Sequence, residues 1–308
     1  MYNLITVLGP TATGKTKLAS QLGKRISGEI ISADSRQVYR GMDIGTGKDL
    51  DDYVVDGEPV PHHLVDIVDP GSVYNVFEFR KDFSVAFRKI SDKGKMPILC
   101  GGTGLYLDAV LREYKMPEVP VNRELRKELD KMPLKDLAKM LKDYGNLHNT
   151  TDVTDRRRAV RAIEIADYRK KYPETTEHIQ ELNSINFGIR FERPVIRERI
   201  TGRLKARLEQ GMINEVKELL RKGLKPEQLI YYGLEYRYVT RYVTGELTFD
   251  EMFGLLNTAI HQFAKRQMTW FRRMEKNGIR IHWINGELTM EEKISEVLGI
   301  LDSESPEE

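Results

Sequence analysis

The chain has 308 residues, 49 of them Lys or Arg and 47 Asp or Glu. The resulting formal charge of +2 excludes neither nucleic-acid nor small-molecule partners, so only the placement of charge can separate them. The length allows one large domain or two modest ones, and the single cysteine, Cys100, excludes an internal disulfide framework and fits a reducing compartment. No apolar run nears the ~20 residues of a bilayer span and no signal-like segment opens the chain, so a soluble, cytoplasmic protein is expected.

In chain order, "LITVL" (residues 4–8) and "EIISA" (residues 29–33) are short apolar runs that predict buried strands. Between them, Lys15–Ile26 places Leu18, Leu22 and Ile26 on one helical face. Residues 75–93 space Val76, Phe79, Phe83, Phe87 and Ile90 by three and four, the stripe of an amphipathic helix. Residues 97–100 predict a third strand, with Cys100 as an inert core thiol. Alternation at this rhythm implies a parallel sheet wrapped by helices. From Tyr114 the strand signal disappears into a Lys-, Asp- and Leu-rich helical pattern, continued over residues 155–171 and ended by Pro173 and a polar stretch. Helices resume near Val195, and "IRIHWI" (279–284) is the last strand candidate.

Residues 9–16, "GPTATGKT", fill the pattern GxxxxGK[ST] between a strand and a helix. Its glycines let backbone N–H groups turn toward phosphate oxygens, and the helix start adds its dipole. Lys15 supplies a point charge and the Thr16 hydroxyl is a suitable Mg2+ ligand. Gly9, Pro10, Thr11, Ala12, Thr13, Gly14, Lys15 and Thr16 are thus the expected diphosphate- or nucleotide-binding residues, with Mg2+ as cofactor. The fold class is α/β, a P-loop NTPase-like parallel sheet wrapped by helices, with a helical insertion domain. Residues 1–113 and 187–302 form the expected core, 114–186 the insertion, and 303–308 a disordered acidic tail.

Asp34 follows the second strand, at the carboxyl edge where open α/β sheets bind ligands. There it is a solvated strand-end carboxylate, a Mg2+ holder through water, or a general base. Gly45, Thr46, Gly47 and Lys48 resemble a phosphate loop without its strand, and are expected to be a flexible loop on the substrate side. "GGTGLYL" (101–107) follows the third strand back to the same edge, with Thr103 as a hydrogen-bond donor to a ligand. A second magnesium aspartate and an arginine-rich lid, both expected of a kinase, are missing.

Two basic helices complete the pattern. "DRRRAVRAIEI" (155–165) turns Val160 and Ile163 inward and presents Arg157, Arg158 and Arg161. "AKRQMTWFRRM" (264–274) has an inner stripe of Ile260, Phe263, Phe271 and Met274, with Lys265, Arg266, Arg272 and Arg273 outside. One such run reads as a solvated face. Two, one with Gln267 and Trp270 among its arginines, point to phosphates and unstacked bases of RNA.

The blocks "GPTATGKT", "SADSRQVYRGMDIGTGK", "HHLVDIVDP", "GGTGLYL", "DRRRAVRAIEI" and "AKRQMTWFR", in this order, resemble the tRNA dimethylallyltransferase family over residues 3–285. The resemblance implies transfer of a dimethylallyl group from dimethylallyl diphosphate to N6 of the adenosine 3′ of the anticodon. It implies that Asp34 accepts the N6 proton, and that Lys15, Thr16 and Arg203, with Arg207 in reserve, serve the diphosphate. It implies that Thr103 lines the site, and that tRNA is contacted by Asp34, Ser35, Arg36, Gln37, Thr103 and Arg126. Further tRNA contacts fall on Arg157, Arg158 and Arg161, on residues 230–235, and on Lys265, Arg266, Gln267, Trp270 and Arg272. The implied partners are the tRNA anticodon stem-loop and the diphosphate donor, with the chain acting as a monomer and away from membranes. "YYGLEY" and the stretch 172–186 depart from the family pattern. The rival readings are an adenylate isopentenyltransferase, which shares the opening loop but acts on free nucleotides, a small-molecule P-loop kinase, and an RNA-binding protein with a regulatory P-loop.

Overall fold

The computed structural model describes residues 2–114, 118–144, 154–172 and 181–304. Strand β1 (Leu4–Leu8), helix α1 (Lys15–Ile26) and strand β2 (Glu29–Ala33) fall where the apolar pattern places them, and both strands are buried throughout. A short helical turn (Leu50–Tyr53) and the two-residue strands β3 (Val54–Val55), β4 (Glu58–Pro59) and β5 (His62–His63) precede α2 (Val76–Ser91). Asn75 caps α2 by accepting from the N–H groups of Phe77 and Glu78. Then follow β6 (Pro97–Gly101) and α3 (Gly104–Leu111).

A separate compact unit, residues 115–179, contains α4 (Arg123–Leu129), α5 (Leu134–Asp143) and α6 (Arg156–Lys171). Its core is Leu129, Leu137, Leu141, Ala159, Val160 and Ile163, so Val160 and Ile163 do face inward. Buried Glu164 organises its polar side: it accepts from the Asn122 N–H, from Arg126 at 2.8 Å and from Arg161 at 2.5 Å. Arg156 donates to the carbonyls of Leu129, the last residue of α4, and of Met132 beyond it.

The first unit resumes with β7 (Ser184–Arg190), α7 (Arg193–Glu209), α8 (Met212–Arg221), α9 (Pro226–Tyr231) and α10 (Leu234–Val243). It ends with α11 (Phe249–Lys276), β8 (His282–Asn285) and α12 (Met290–Glu304). The sheet is parallel, in the order β5-β2-β6-β1-β7-β8. One core, built on Leu4, Leu8, Ile31 and Leu99, meets α2, α3, α10 and α11; the other, on Ile5, Val7, Ile30 and Ile98, meets α1 and α12. Both faces are covered, which is why these strands read as continuous apolar runs.

Strand β7 corrects the sequence reading, which ends the insertion at residue 186. Its Ile185, Phe187 and Ile189 alternate with Ser184, Asn186 and Gly188, a weak signal inside a polar stretch, yet it pairs along β1 from Leu4↔Ser184 to Leu8↔Gly188. Gly188 is required there, because a Cβ would lie 2.6 Å from the Trp283 ring. The expected tail is also shorter. Ser303 and Glu304 are helical, with Glu304 held by the Tyr2 hydroxyl at 2.9 Å and by Arg280 at 2.8 Å; residues 305–308 lie outside the described residues. Among the described residues no helix is long and apolar enough to cross a membrane.

Glu29, at the start of β2, is a buried carboxylate met by two lysines, Lys93 at 2.9 Å and Lys95 at 3.1 Å, and by the His63 ring at 2.8 Å. Burial alone would raise its pKa. The hydrogen bonds from Lys93, His63 and Lys95 outweigh that and hold it at about 2.

Candidate active site

The carboxyl ends of β1, β2 and β6 deliver three loops to one rim of the sheet, as their parallel register requires. The first is the 9–16 loop. Ala12 (φ 65°) and Gly14 (φ 79°) take left-handed backbone, and the Thr13 hydroxyl donates to the Pro10 carbonyl at 2.9 Å, which curls the loop around its N–H groups. Lys15, the first residue of α1, lies against this curl with Nζ 3.5 Å from the Pro10 carbonyl. Burial depresses its pKa, and the Arg203 charge adds to this against the opposing influence of Cys100, Asp34 and Asp49. The Thr16 hydroxyl lies against Cys100, whose buried thiol is pushed up to about 12 despite the nearby Lys15. Cys100 is therefore inert, as its apolar context predicts.

The second loop carries Asp34, whose carboxylate accepts the Arg36 N–H at 2.9 Å. The third carries Thr103, whose Oγ1 accepts the Ser35 N–H at 3.1 Å. Gly101 lets the two strand ends close up, since a Cβ there would overlap the Ala33 backbone. Asp34, at the end of β2, thus shares the sheet edge with the 9–16 loop that follows β1.

The 45–48 stretch is not the flexible loop its glycines suggest. Lys48 is 1% exposed, with Nζ donating to the Tyr39 carbonyl at 2.7 Å and to Asp43 at 2.6 Å, and also paired to Asp66. The Glu215 carboxylate of α8 accepts the N–H groups of Asp43, Ile44 and Gly45. Gly45 packs on the Tyr236 ring, 2.6 Å from where a Cβ would sit, and a Cβ on Gly47 (φ 65°) would overlap the guanidinium groups of Arg203 and Arg207. Gln37 belongs to this scaffold: it is buried, accepts from Ser32 at 3.1 Å and donates to the Gly47 carbonyl at 3.0 Å. Its amide is occupied by the protein rather than displayed to a base.

Helix α7 supplies three arginines at intervals of one turn. Arg199 donates to the Ala12 carbonyl at 3.0 Å, and Arg203 donates to the Thr11 hydroxyl at 3.3 Å and to Asp49 at 2.9 Å. Arg207 sits 3.6 Å from Asp49 and 3.8 Å from Glu235, yet its Nε and Nη2 are buried without a hydrogen bond. Burial, then Arg207, lowers the pKa of Arg203; burial raises that of Glu235 against the pull of Arg207. Arg203 thus faces the phosphate loop, whereas Arg207 lies against Gly47, Asp49 and Glu235. Arg199, which the sequence reading missed, would have been found from the 199, 203, 207 spacing of one helical face.

On α11, Gln267 is also buried. It accepts the Thr11 N–H at 2.9 Å and donates to the Gly102 carbonyl at 2.8 Å, tying the first loop to the third. Trp270 packs its indole against Gly104, where a Cβ would overlap the ring, and buries Nε1 without a hydrogen bond. Both residues serve the frame of the site, whereas Lys265, Arg266 and Arg272 are exposed on the outer face. Phe263 corrects the expected inner stripe: it is 38% exposed, with Arg266 5.9 Å from its ring centroid, while Ile260, Phe271 and Met274 are buried. Tyr231 of the 230–235 segment is 57% exposed, with Arg36 5.6 Å from its ring centroid.

In the helical unit, Arg157 and Arg158 are exposed with no side-chain partner among the described residues. Arg126 and Arg161 are instead committed to Glu164. No group of three or more His, Cys, Asp or Glu among the described residues is arranged to hold a metal. The cradle of Lys15, Arg203 and loop N–H groups suits an anion, and a divalent ion fits it only in company with that anion, beside the Thr16 hydroxyl.

The family model described as "IPP transferase" matches residues 37–274, and one described as "Isopentenyl transferase" matches residues 2–58. The chain is 55% identical over 294 residues to tRNA dimethylallyltransferase 2 of Bacteroides fragilis, covering 96% of each chain. It is 56% identical over 289 residues to tRNA dimethylallyltransferase 1 of Geotalea uraniireducens, covering 92% of this chain and 93% of that one. Among solved structures it is similar to the tRNA isopentenylpyrophosphate transferase of Bacillus halodurans, with a TM-score of 0.71, 32% identity and coverage of 98% and 96%.

Proposed function

This chain belongs to the IPP transferase family of tRNA dimethylallyltransferases, and we propose that it moves the dimethylallyl group of dimethylallyl diphosphate onto N6 of the adenosine 3′ of the anticodon in tRNA. The C1–O bond of the donor breaks, the C1–N6 bond forms, the N6 proton passes to Asp34, and diphosphate leaves. The observation that carries this reading is that Asp34 and Thr103 stand at the same carboxyl edge of the sheet as the 9–16 loop, joined by the Ser35 N–H to Thr103 Oγ1 bond.

Adenine N6 is a weak nucleophile because its lone pair is delocalised into the ring, so the allylic carbon must be strongly activated. Negative charge grows on the departing diphosphate. The 9–16 N–H groups, Lys15 and Arg203 are fixed where that charge develops, and Gln267, Glu215 and Gly47 hold them there before substrate arrives. Bound Mg2+, with Thr16 as its ligand from this chain, would add further charge neutralisation to the diphosphate. Asp34 accepts the proton as the C–N bond forms, a role worth about 10²–10⁴ in rate. The base must leave its stack to reach Asp34, a small cost in a single-stranded loop, and Tyr231 with Arg36 offers a surface for its neighbours. The reaction takes place where tRNA is found, in the cytoplasm.

The test offers labelled dimethylallyl diphosphate with unmodified tRNA or with AMP, ADP and ATP. Label is expected on tRNA alone. Label confined to mononucleotides would make the enzyme an adenylate isopentenyltransferase, and ATP turnover without transfer would make it a kinase.

A further inference from the structure

The 230–235 segment, which the family resemblance gives to tRNA, ends in a carboxylate whose partner is a buried arginine of this chain. Glu235 is the second residue of α10, and its side chain is 20% exposed. Its Oε1 lies 3.8 Å from Nη1 of Arg207, whose own side chain is 8% exposed. A cation buried to that degree needs counter-charge, and a second carboxylate, Asp49, stands 3.6 Å from its Nη2. Neither separation is a hydrogen bond, and the Arg207 Nε and Nη2 are buried without one. Charge and packing therefore hold Arg207, not the geometry of its fork.

Asp49 links this pair to the donor side of the site. Arg203, one turn earlier on α7, divides its guanidinium between two partners. Nη1 donates to the Thr11 hydroxyl of the phosphate loop at 3.3 Å, and Nη2 donates to Asp49 Oδ2 at 2.9 Å. The oxygen that takes this bond is the one that Arg207 faces. Asp49 holds left-handed backbone there (φ 44°), a conformation that costs an aspartate energy and that its surroundings must impose. Gly47, two residues earlier, packs on both guanidinium groups and leaves no room for a Cβ. Two like charges one turn apart need two carboxylates, and Glu235 is the second.

We infer that Glu235 and Arg207 are positioning residues for the transfer. Glu235 balances Arg207, and Arg207 with Gly47 keeps the Asp49 carboxylate in place. Asp49 then fixes the rotation of Arg203, so that its other prong meets the loop and the diphosphate of the donor. Neither Glu235 nor Arg207 touches a substrate. Without Glu235, one carboxylate would serve two guanidinium groups, and Arg207 would draw the shared oxygen away from Arg203. The inference rests on the reading that Arg203 serves the diphosphate.

The experiment compares wild type with Glu235→Gln, Arg207→Met, Arg207→Lys, the double variant Glu235→Gln/Arg207→Met, and Arg203→Gln, all in the full chain. The measurements are melting by circular dichroism, filter binding of unmodified tRNA, calorimetry with inorganic diphosphate, and steady-state transfer. Glu235→Gln and Arg207→Met should each weaken diphosphate and lower kcat about tenfold or more, with tRNA affinity within about twofold. The double variant should lose about as much as one single, not the product of both. It also removes both charges together, and so carries the test if Arg207→Met alone does not fold. Arg207→Lys keeps the charge and should stay within about threefold of wild type. A change in tRNA affinity at unchanged kcat would make Glu235 a tRNA contact and overturn the inference. A lower melting temperature with kcat and diphosphate affinity unchanged would overturn it too, by confining the pair to stability. Multiplied losses in the double variant, or equal losses in Arg207→Lys and Arg207→Met, would have the same consequence. Arg203→Gln tests the underlying reading separately: full diphosphate affinity in that variant would sink the donor role of Arg203, whatever the pair does.

Discussion

The Tyr236 hydroxyl donates to the Glu215 carboxylate at 2.6 Å, and the same carboxylate accepts three successive N–H groups of the 43–45 loop. This bond fixes the wall against which Arg203 and Arg207 rest. Glu215→Ala leaves those donors buried without an acceptor, a cost of about 2–4 kcal/mol. The melting temperature should fall and the donor KM should rise tenfold or more. A lower melting temperature with an unchanged KM would confine Glu215 to stability.

Asp34→Asn preserves the acceptor that the Arg36 N–H requires, so the loop should keep its shape while losing its base. The expected result is a fall in kcat of about 10²–10⁴, with tRNA affinity within a few fold. Single-turnover transfer and filter binding measure the two quantities. A large affinity loss would argue that Asp34 recognises tRNA rather than taking the proton.

Gln267→Leu removes both bonds that tie Thr11 to Gly102. Each stranded backbone group costs about 1–3 kcal/mol, and the first and third loops lose their common anchor. Donor KM should rise and kcat fall together, while affinity for an RNA stem-loop changes little. If RNA affinity falls most, Gln267 reaches the base directly and the burial argument fails.

Arg157 and Arg158 should contribute to tRNA binding through phosphate neutralisation. Changing both to Ala should reduce the slope of log affinity against log salt by about 1–2, measured between low and physiological salt. Arg161→Ala should act differently, because its partners are Glu164 and the Val119 carbonyl. It should lower the unfolding temperature of the helical unit more than the salt slope. An unchanged slope in the double variant would return that face to simple solvation.

Glu29 gives a pH prediction. Its pKa falls from 4.5 to about 2 on folding, so the folded state binds fewer protons than the unfolded chain between those values. The stabilisation, ~3 kcal/mol, is present above about pH 4.5 and is lost as pH falls toward 2. Glu29→Gln should therefore destabilise the protein at pH 7, and the gap to wild type should close as pH falls from 4.5 toward 2 in urea titrations. A gap independent of pH would mean that packing, not charge, is lost.

Local pattern made much of this protein readable. The 4–8, 29–33 and 97–100 runs, the 9–16 loop and the Phe79-Phe83-Phe87 stripe depend on contacts within each segment, and each appears in place. What was hidden depends on distant partners. The 45–48 stretch reads as a flexible loop because Asp66 and the Tyr39 carbonyl, which hold Lys48, lie elsewhere in sequence. Gln37 and Gln267 looked available to RNA because nothing in "DSRQ" or "AKRQ" announces that Gly47 and Thr11 occupy their amides. Strand β7 was missed because a central strand with Asn186 and Gly188 is polar by composition, and only the Arg280 carbonyl and the Trp283 ring account for those two residues.

The position of β7 also bears on how the chain is made. Strand β1, which leads into the phosphate loop, has β6 on one side and β7 on the other, and β7 begins at Ser184. A nascent chain that has emerged as far as β6 can pair only one flank of β1. Its open flank waits while the helical unit, residues 115–179, is translated, roughly 3–13 seconds at about 5–20 residues per second. During that interval an apolar parallel strand is exposed to any other chain with an unpaired edge. Closure of the sheet is thus a late event in synthesis, and truncation before residue 184 would release a fragment that cannot seal it.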